Sequence, residues 1–237
     1  MAESGKALVL LSGGIDSATC AFLACREFGA ENVLALSLFY GQKHAKELKA
    51  AKDVANYLGL QDHIIAKLPD VFRGGGSTLI DPDLPNPETT YEELRKSQGV
   101  SPTYVPFRNA NLLSAATSVA LVKGSDTLYY GAHAEDGGNF AYPDCTPEFN
   151  GAMANAIFIG SYMKVRLLTP LQWLAKREVV ALGQSLGVPF ELTWSCYNGQ
   201  AKACGVCPAC VSRLHAFLEN GWRDPVGYLS QMPNLGD

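Results

Sequence analysis

Apolar and polar positions along this chain follow two rhythms, and their order predicts an α/β protein. Ala7-Leu8-Val9-Leu10-Leu11 is an unbroken apolar run, the pattern of a strand covered on both faces. From Ala18 to Phe28 the spacing turns helical, with Ala18, Ala21, Phe22, Cys25 and Phe28 on one face and Gly29 placed to close the helix. Val33 to Phe39 is a second apolar run. A helix from His44 to Leu58 follows, with Ala45, Leu48, Ala51, Ala55 and Leu58 inward and Gly59 at its end. His63 to Ala66 reads as a shorter strand. The resulting βαβαβ order argues for a doubly wound, mainly parallel, Rossmann-like sheet with its ligand at the strand C-termini.

Residues 69–106 interrupt the pattern. They hold Gly74-Gly75-Gly76 and the prolines Pro82, Pro85, Pro87 and Pro102, with at most a short helix near Tyr91 to Ser97. So long an irregular stretch is usually a lid, a binding loop or an assembly arm. Regularity resumes with a helix at Asn109 to Lys123, a strand at Thr127 to Gly131, a helix starting near Glu148, a strand at Val165 to Leu168 and a helix at Ala175 to Leu186. The count is five strands. We expect residues 1–190 to form the α/β domain and residues 191–237 a metal-stabilised helical tail.

Bulk properties narrow the classes. With 237 residues, 47% hydrophobic and 18% charged, the chain can bury a substantial core. A net charge of −4 argues against non-specific nucleic-acid binding, which needs a strong positive field. No apolar run suffices to cross a bilayer and residues 1–6 carry no signal-peptide pattern, so the cytoplasm is the expected location.

Chemistry concentrates at two places. Between the first strand and first helix lies Ser12-Gly13-Gly14-Ile15-Asp16-Ser17. Glycines permit close approach to an anion, and the helix behind them offers unpaired N–H groups and partial positive charge. The Gly-Lys-[Ser/Thr] ending of a Walker A loop is missing. Asp16 would repel polyphosphate unless a divalent ion sat between them, which points to a magnesium nucleotide. The second place is Cys196-x7-Cys204-x2-Cys207-x2-Cys210. Four thiolates suit tetrahedral Zn2+ with no open position, a structural site; an iron–sulfur cluster is the alternative for this spacing. Cys20 and Cys25 read as helix packing residues, and His44 and His133 lack a metal-spacing partner.

Taken together, the chain resembles the PP-loop ATP pyrophosphatases, which include GMP synthetase, NAD synthetase, argininosuccinate synthetase and tRNA-thiolation enzymes. Tyr40-Gly41-Gln42, Val105-Pro106-Phe107-Arg108-Asn109, Tyr142-Pro143-Asp144-Cys145, Thr169-Pro170-Leu171 and Cys196-Tyr197-Asn198-Gly199 narrow the resemblance to the 7-cyano-7-deazaguanine synthases of queuosine biosynthesis, over residues 6–218. Two departures stand out: Phe107 where that family has glycine, and His133-Ala134-Glu135-Asp136 where Glu-Thr-Asp is expected. The resemblance implies an adenine nucleotide alpha-hydrolase-like fold and an ATP-dependent C–N ligase. Its substrates would be 7-carboxy-7-deazaguanine, ammonia and ATP, its products the nitrile, AMP and diphosphate, and its assembly a homodimer. A synthetase stopping at 7-amido-7-deazaguanine and a tRNA-thiolating enzyme are the alternatives.

On that reading Ser12, Gly13, Gly14 and Ser17 hold the diphosphate, Asp16 holds Mg2+, and Leu11 and Ile15 complete the ATP-binding turn. Arg108 and Lys176 sit near phosphate, Tyr40-Gly41-Gln42 near adenine, and Asn109 either contacts ATP or caps a helix. Glu135, Asp136, Tyr142 and Asp144 would read the deazaguanine. Cys145 offers a covalent nucleophile, but ATP already activates the carbon.

Overall fold

The protein is described here by a computed structural model, which covers residues 5–43, 46–90, 93, 96 and 100–229. Five parallel strands form one sheet in the order β3-β2-β1-β4-β5: β1 Ala7–Leu10, β2 Val33–Phe39, β3 His63–Lys67, β4 Thr127–Tyr129 and β5 Arg166–Leu168. The strand order reverses between β1 and β4. Crevices at such a reversal hold ligands in doubly wound sheets.

Helices cover both faces. In β1, Ala7 and Val9 join a cluster with α1 (Ile15–Phe28), α2 (Lys46–Tyr57) and α5 (Lys176–Leu186). The alternate residues Leu8 and Leu10 join α3 (Arg108–Lys123) and α4 (Pro147–Gly160) on the other face. This double coverage is why the strands read as continuous apolar runs.

The helical faces are wider than expected. Ala18 and Ala21 of α1 are fully buried, and so are Cys20 and Ala24, while Phe22, Cys25 and Phe28 pack at the margin. The cause is a close helix–helix approach: a β-carbon on Gly183 of α5 would lie 2.9 Å from Thr19 Oγ1 of α1. Burial pushes the Cys20 thiol up, and the Cys25 thiol up to about 11, as expected of inert packing residues. In α2, Ala51 and Ala55 face inward with Ala50 and Val54, whereas Leu58 is partly buried. His44, Ala45 and most of the helix expected near Tyr91 to Ser97 lie outside the described residues.

The last helix, α6 (Pro208–Glu219), places Ala216 and Phe217 in the α1–α5 cluster, with Phe217 edge-on to Phe190 at 5.1 Å. Arg213 of α6 is 2% exposed, so its charge must be met internally. Its Nε and Nη2 donate to Asp224 at 2.6 and 2.9 Å, and its remaining donors reach Thr193 Oγ1 and the Phe190 carbonyl.

The 69–106 excursion is tied down at several points. Thr78 N–H donates to the Pro102 carbonyl, Lys43 N–H to the Leu79 carbonyl and Ser101 N–H to the Ala141 carbonyl, at 3.0–3.2 Å. Asn86 Nδ2 reaches the Tyr197 carbonyl at 3.1 Å. Phe72, Thr103 and Val105 are buried beneath it. Among its described residues, Leu79, Thr103, Tyr104 and Val105 thus form a roof over the C-terminal ends of the strands.

Candidate active site

Glycines and hydroxyls build the turn between β1 and α1. Gly13 sits at φ +89°, and a β-carbon there would lie 2.3 Å from the Glu47 carbonyl oxygen and 2.6 Å from the Ala51 nitrogen. Only glycine lets α2 pack against the turn. Gly14 is different: its φ is −79°, and the nearest neighbour of an added β-carbon would be Ser12 Oγ at 3.5 Å. Ser17 Oγ accepts the N–H groups of Ser12 and Gly13 at 3.1 and 3.2 Å and donates to the Gly14 carbonyl. Ser12 Oγ accepts the Gly14 N–H at 3.3 Å. Three successive N–H groups therefore converge on two hydroxyls at the start of α1, a concavity suited to an anion.

A cleft of about 280 Å³ opens from this turn across the ends of β1, β2 and β4. Lys176, the first residue of α5, places Nζ 2.7 Å from both Asp16 carboxylate oxygens. Burial alone would raise the Asp16 carboxyl, but the Lys176 ammonium, His133 and hydrogen bonds to the carboxylate together outweigh it and hold the group below its ordinary value. Gly131, just past β4, would carry a β-carbon 3.1 Å from the Asp16 carbonyl carbon, so its lack of a side chain lets β4 approach the turn. His133, almost fully buried, accepts the Glu135 N–H on Nδ1, and its Nε2 stands 3.3 Å from Asp136 Oδ1.

Arg108 enters from the opposite wall. Its Nε donates to Asn109 Oδ1 at 3.3 Å and Nη1 to Tyr40 Oη at 3.1 Å. Burial opposes its charge, yet Tyr40 and other neighbours keep it firmly protonated. Among the described residues it forms no ion pair, which leaves guanidinium donors for a ligand. Beside it, burial pushes the Glu47 carboxyl up to about 7 despite the opposing pull of Arg108.

The four clustered cysteines form a separate centre. Cys196, Cys204, Cys207 and Cys210 are all buried, and their sulfurs lie within 4.8 Å of one another, with Cys204 and Cys210 at 3.8 Å. Tetrahedral coordination with metal–sulfur bonds of about 2.3 Å requires sulfur separations of about 3.8 Å. The arrangement therefore fits a metal ion.

The family described as queuosine biosynthesis protein QueC matches residues 6–221. The chain belongs to this family. It is 46% identical over 232 residues to a 7-cyano-7-deazaguanine synthase of Koribacter versatilis, covering 97% of this chain and 96% of that one. A 7-cyano-7-deazaguanine synthase of Acidobacterium capsulatum is 43% identical over 226 residues, covering 94% and 96%. Among solved structures, NMN synthetase from Francisella tularensis superposes with a TM-score of 0.51 at 17% identity, covering 93% of this chain and 79% of that chain. That likeness concerns the fold.

Every nucleotide- or substrate-binding residue expected from the sequence of this QueC-family chain lines the cleft except Gly13, Gly41 and Glu135. Gly13 lies beneath the turn, against α2. Gly41 bends the chain at φ +100° after Tyr40, whose N–H is accepted by Gln42 Oε1 at 2.8 Å. Glu135 Oε1 accepts the Lys176 N–H at 2.9 Å, an interaction that serves the N-terminus of α5. The helix at Asn109 begins one residue earlier, at Arg108, so Asn109 is not its cap. Instead Asp144 Oδ2 accepts the Asn109 N–H at 2.9 Å, and Asn109 Nδ2 donates to the Asp144 carbonyl.

Burial pushes the Asp144 carboxyl up against the pull of that N–H and Arg108. Cys145 also lines the cleft, but burial and the nearby Asp136 and Asp144 carboxylates push its thiol far up, so it is a thiol and not a nucleophilic thiolate. Tyr142 Oη is held by the hydroxyls of Ser101 and Thr103, which fixes its ring from the roof. Phe107 stands at φ +54°, ψ +28°, the left-handed region, where the related sequences are expected to have glycine. His133, Glu47, Thr103 and Trp194 also line the cleft and were missed. Only His133, an imidazole just past a strand end and beside two acids, carried a readable signal.

Proposed function

We propose that this cleft makes 7-cyano-7-deazaguanine from 7-carboxy-7-deazaguanine, ammonia and ATP. The observation that carries the reading is the convergence of three N–H groups beside Asp16, Lys176 and Arg108. Such a site grips leaving diphosphate and meets charge as it develops at the α-phosphorus. A substrate carboxylate oxygen attacks that phosphorus, diphosphate departs, and ammonia displaces AMP from the acyl adenylate to give the amide. The amide oxygen attacks a second ATP in the same way. Loss of AMP and a proton then leaves the C≡N bond.

Leu11 to Ser17 cradle the diphosphate, and Arg108 and Lys176 offset its charge. Asp16, ionised and facing the cleft, provides the hard oxygen donor suited to Mg2+, which would neutralise phosphate oxygens when bound. Tyr40 and Gln42, at the end of β2, face the adenine, with Gly41 making the bend. Asp136, Tyr142 and Asp144 accept and stack the deazaguanine, while Glu135 acts indirectly by seating α5. The roof formed by Leu79 and by Thr103 to Val105 keeps water from the adenylates. Free ammonia is the nitrogen source.

We assign Zn2+ to Cys196, Cys204, Cys207 and Cys210. The compact spread of the sulfurs supports one ion, because a cluster giving each thiolate its own iron must hold them further apart. The metal cross-links residues 196–210 to one another and fixes the loop from which α6 starts. Small molecules, rather than nucleic acid or membrane, are the partners: the net charge is −4 and no helix among the described residues is long and apolar enough to cross a bilayer. A homodimer in the cytoplasm, where ATP is abundant and thiols stay reduced, completes the reading.

The test is mass spectrometry of the product formed with excess ATP, magnesium and ammonium. The nitrile is expected. An amide that persists while ATP remains, or sulfur transferred to tRNA, would refute the assignment.

A further inference from the structure

Two peptide planes of the diphosphate turn are held from behind. Ser37 is buried in the otherwise apolar β2, at 1% exposure, and its Oγ lies 2.5 Å from the Leu11 carbonyl oxygen and 2.8 Å from His63 Nε2. A carbonyl oxygen can only accept, so the Ser37 hydroxyl proton goes to Leu11 and His63 must donate its Nε2 proton to Ser37. The Leu11 N–H makes the last ladder bond, to the Leu36 carbonyl, and the side chain of Ser37 then takes the carbonyl where β1 leaves the sheet. On the far side of the turn, the Trp194 N–H donates to the Gly13 carbonyl at 2.8 Å. Trp194 is fixed in turn: its indole Nε1 donates to the carbonyl of the metal-site residue Cys196, and Lys46 Nζ stands 3.8 Å over its ring.

In a trans peptide the C=O and the following N–H point in opposite directions. Pulling the Leu11 and Gly13 carbonyls outward therefore turns the Ser12 and Gly14 N–H groups inward. Those N–H groups are the ones found on the Ser17 and Ser12 hydroxyls. Ser37 and His63 do not line the cleft; Trp194 does, but the anchoring donor is its main-chain N–H.

We propose that Ser37, supported by His63, and the main-chain N–H of Trp194 are positioning groups that aim the turn's donors at the diphosphate. This rests on the reading of the turn as the diphosphate seat. Preorganised donors cost nothing to reorient when the anion arrives, so losing an anchor weakens anion binding without touching the adenine end of the cleft. The second anchor also ties the turn to the cysteine centre, two residues beyond Trp194.

Calorimetric titration with magnesium pyrophosphate, and separately with adenosine, tests the idea. Ser37→Ala should weaken pyrophosphate about tenfold, the scale of one well-placed hydrogen bond to a charged group, and leave adenosine unchanged. His63→Ala, at the partly exposed sheet edge, should weaken it less and provides a second variant if Ser37→Ala does not fold. Trp194→Pro removes the donor, and Thr193 already has the extended φ −89°, ψ 152° that a following proline requires, so this variant should lose about tenfold. Wild-type affinity in Ser37→Ala, or in His63→Ala should Ser37→Ala not fold, overturns the proposal, as does equal loss of pyrophosphate and adenosine. A wild-type protein that binds adenosine but no pyrophosphate would instead remove the seat itself, and the proposal with it.

Discussion

Replacing Gly14 with alanine separates the phosphate-binding role of the turn from its folding role. Gly14 has φ −79° and ψ 169°, a conformation open to any L-residue, and the added methyl would meet nothing closer than 3.5 Å. Two small terms oppose each other. Alanine is worse than glycine at a helix N-cap by up to about 1 kcal/mol, and the stiffer unfolded chain returns about 0.4–1 kcal/mol. Stability should stay within about 1 kcal/mol, a melting shift of about 2–4 °C for a chain of this size. The methyl stands on the cleft side, where an anion must reach the Ser12, Gly13 and Gly14 N–H groups. Weakening those charge-assisted bonds by about 1.5–3 kcal/mol lowers pyrophosphate affinity roughly tenfold to a hundredfold.

Gly13→Ala should behave in the opposite sense. Positive φ alone costs about 1–2 kcal/mol, and the 2.3 Å approach to the Glu47 carbonyl forces α2 away from the turn, so melting itself should fall steeply. Parallel thermal melts and pyrophosphate titrations of the two variants give the answer. Normal affinity in Gly14→Ala, or a collapse of its melting temperature, would refute the reasoning.

Other perturbations address the rest of the molecule. Lys176→Met removes the ammonium that offsets burial at Asp16, so the Asp16 carboxyl should titrate above its present position by NMR, and turnover should fall at least about a hundredfold. An unmoved titration would discredit the pairing. Cys207→Ser should bring bound metal below one equivalent by elemental analysis and lower the melting temperature by several degrees; full metal content would contradict a shared site. Arg213→Met strands the buried Asp224 carboxylate, leaving it the Tyr228 hydroxyl and the Val226 N–H, and should cost about 3–5 kcal/mol in urea unfolding. A loss under about 1 kcal/mol would show that the pair is not sealed from water.

What could be read from the sequence was whatever local pattern determines. The five strands and the helices announced themselves through periodicity, and their ends shifted by only a few residues. The α1 start is an instance: Gly14 takes an extended N-cap conformation, so the helix begins at Ile15 and not at Ala18. The cysteine cluster was legible because ligands to a shared metal must lie close together, and the Cys-x2-Cys-x2-Cys spacing keeps these sulfurs close. Residues whose role depends on distant partners were not. Arg213 looks like a solvated helix charge until Asp224 folds back onto it. Ser37 is a lone serine in an apolar run, and only the departure of β1 from the sheet explains what its hydroxyl bonds. The main-chain N–H groups that Glu135 and Asp144 accept, each in the first turn of a helix reached only through the fold, were likewise invisible in the sequence. Phe107 in the left-handed region could not be inferred from a sequence that puts phenylalanine where glycine is expected.

The central claim is that substrate oxygens, and not water, attack the α-phosphorus. It is tested most directly by supplying 7-carboxy-7-deazaguanine with both carboxylate oxygens labelled with 18O and examining the nucleotides formed with ATP, magnesium and ammonium. Each AMP released should carry one labelled oxygen, the first from the acid adenylation and the second from the amide adenylation, with unlabelled diphosphate and a nitrile. Label in orthophosphate beside ADP, or AMP without label, would contradict it.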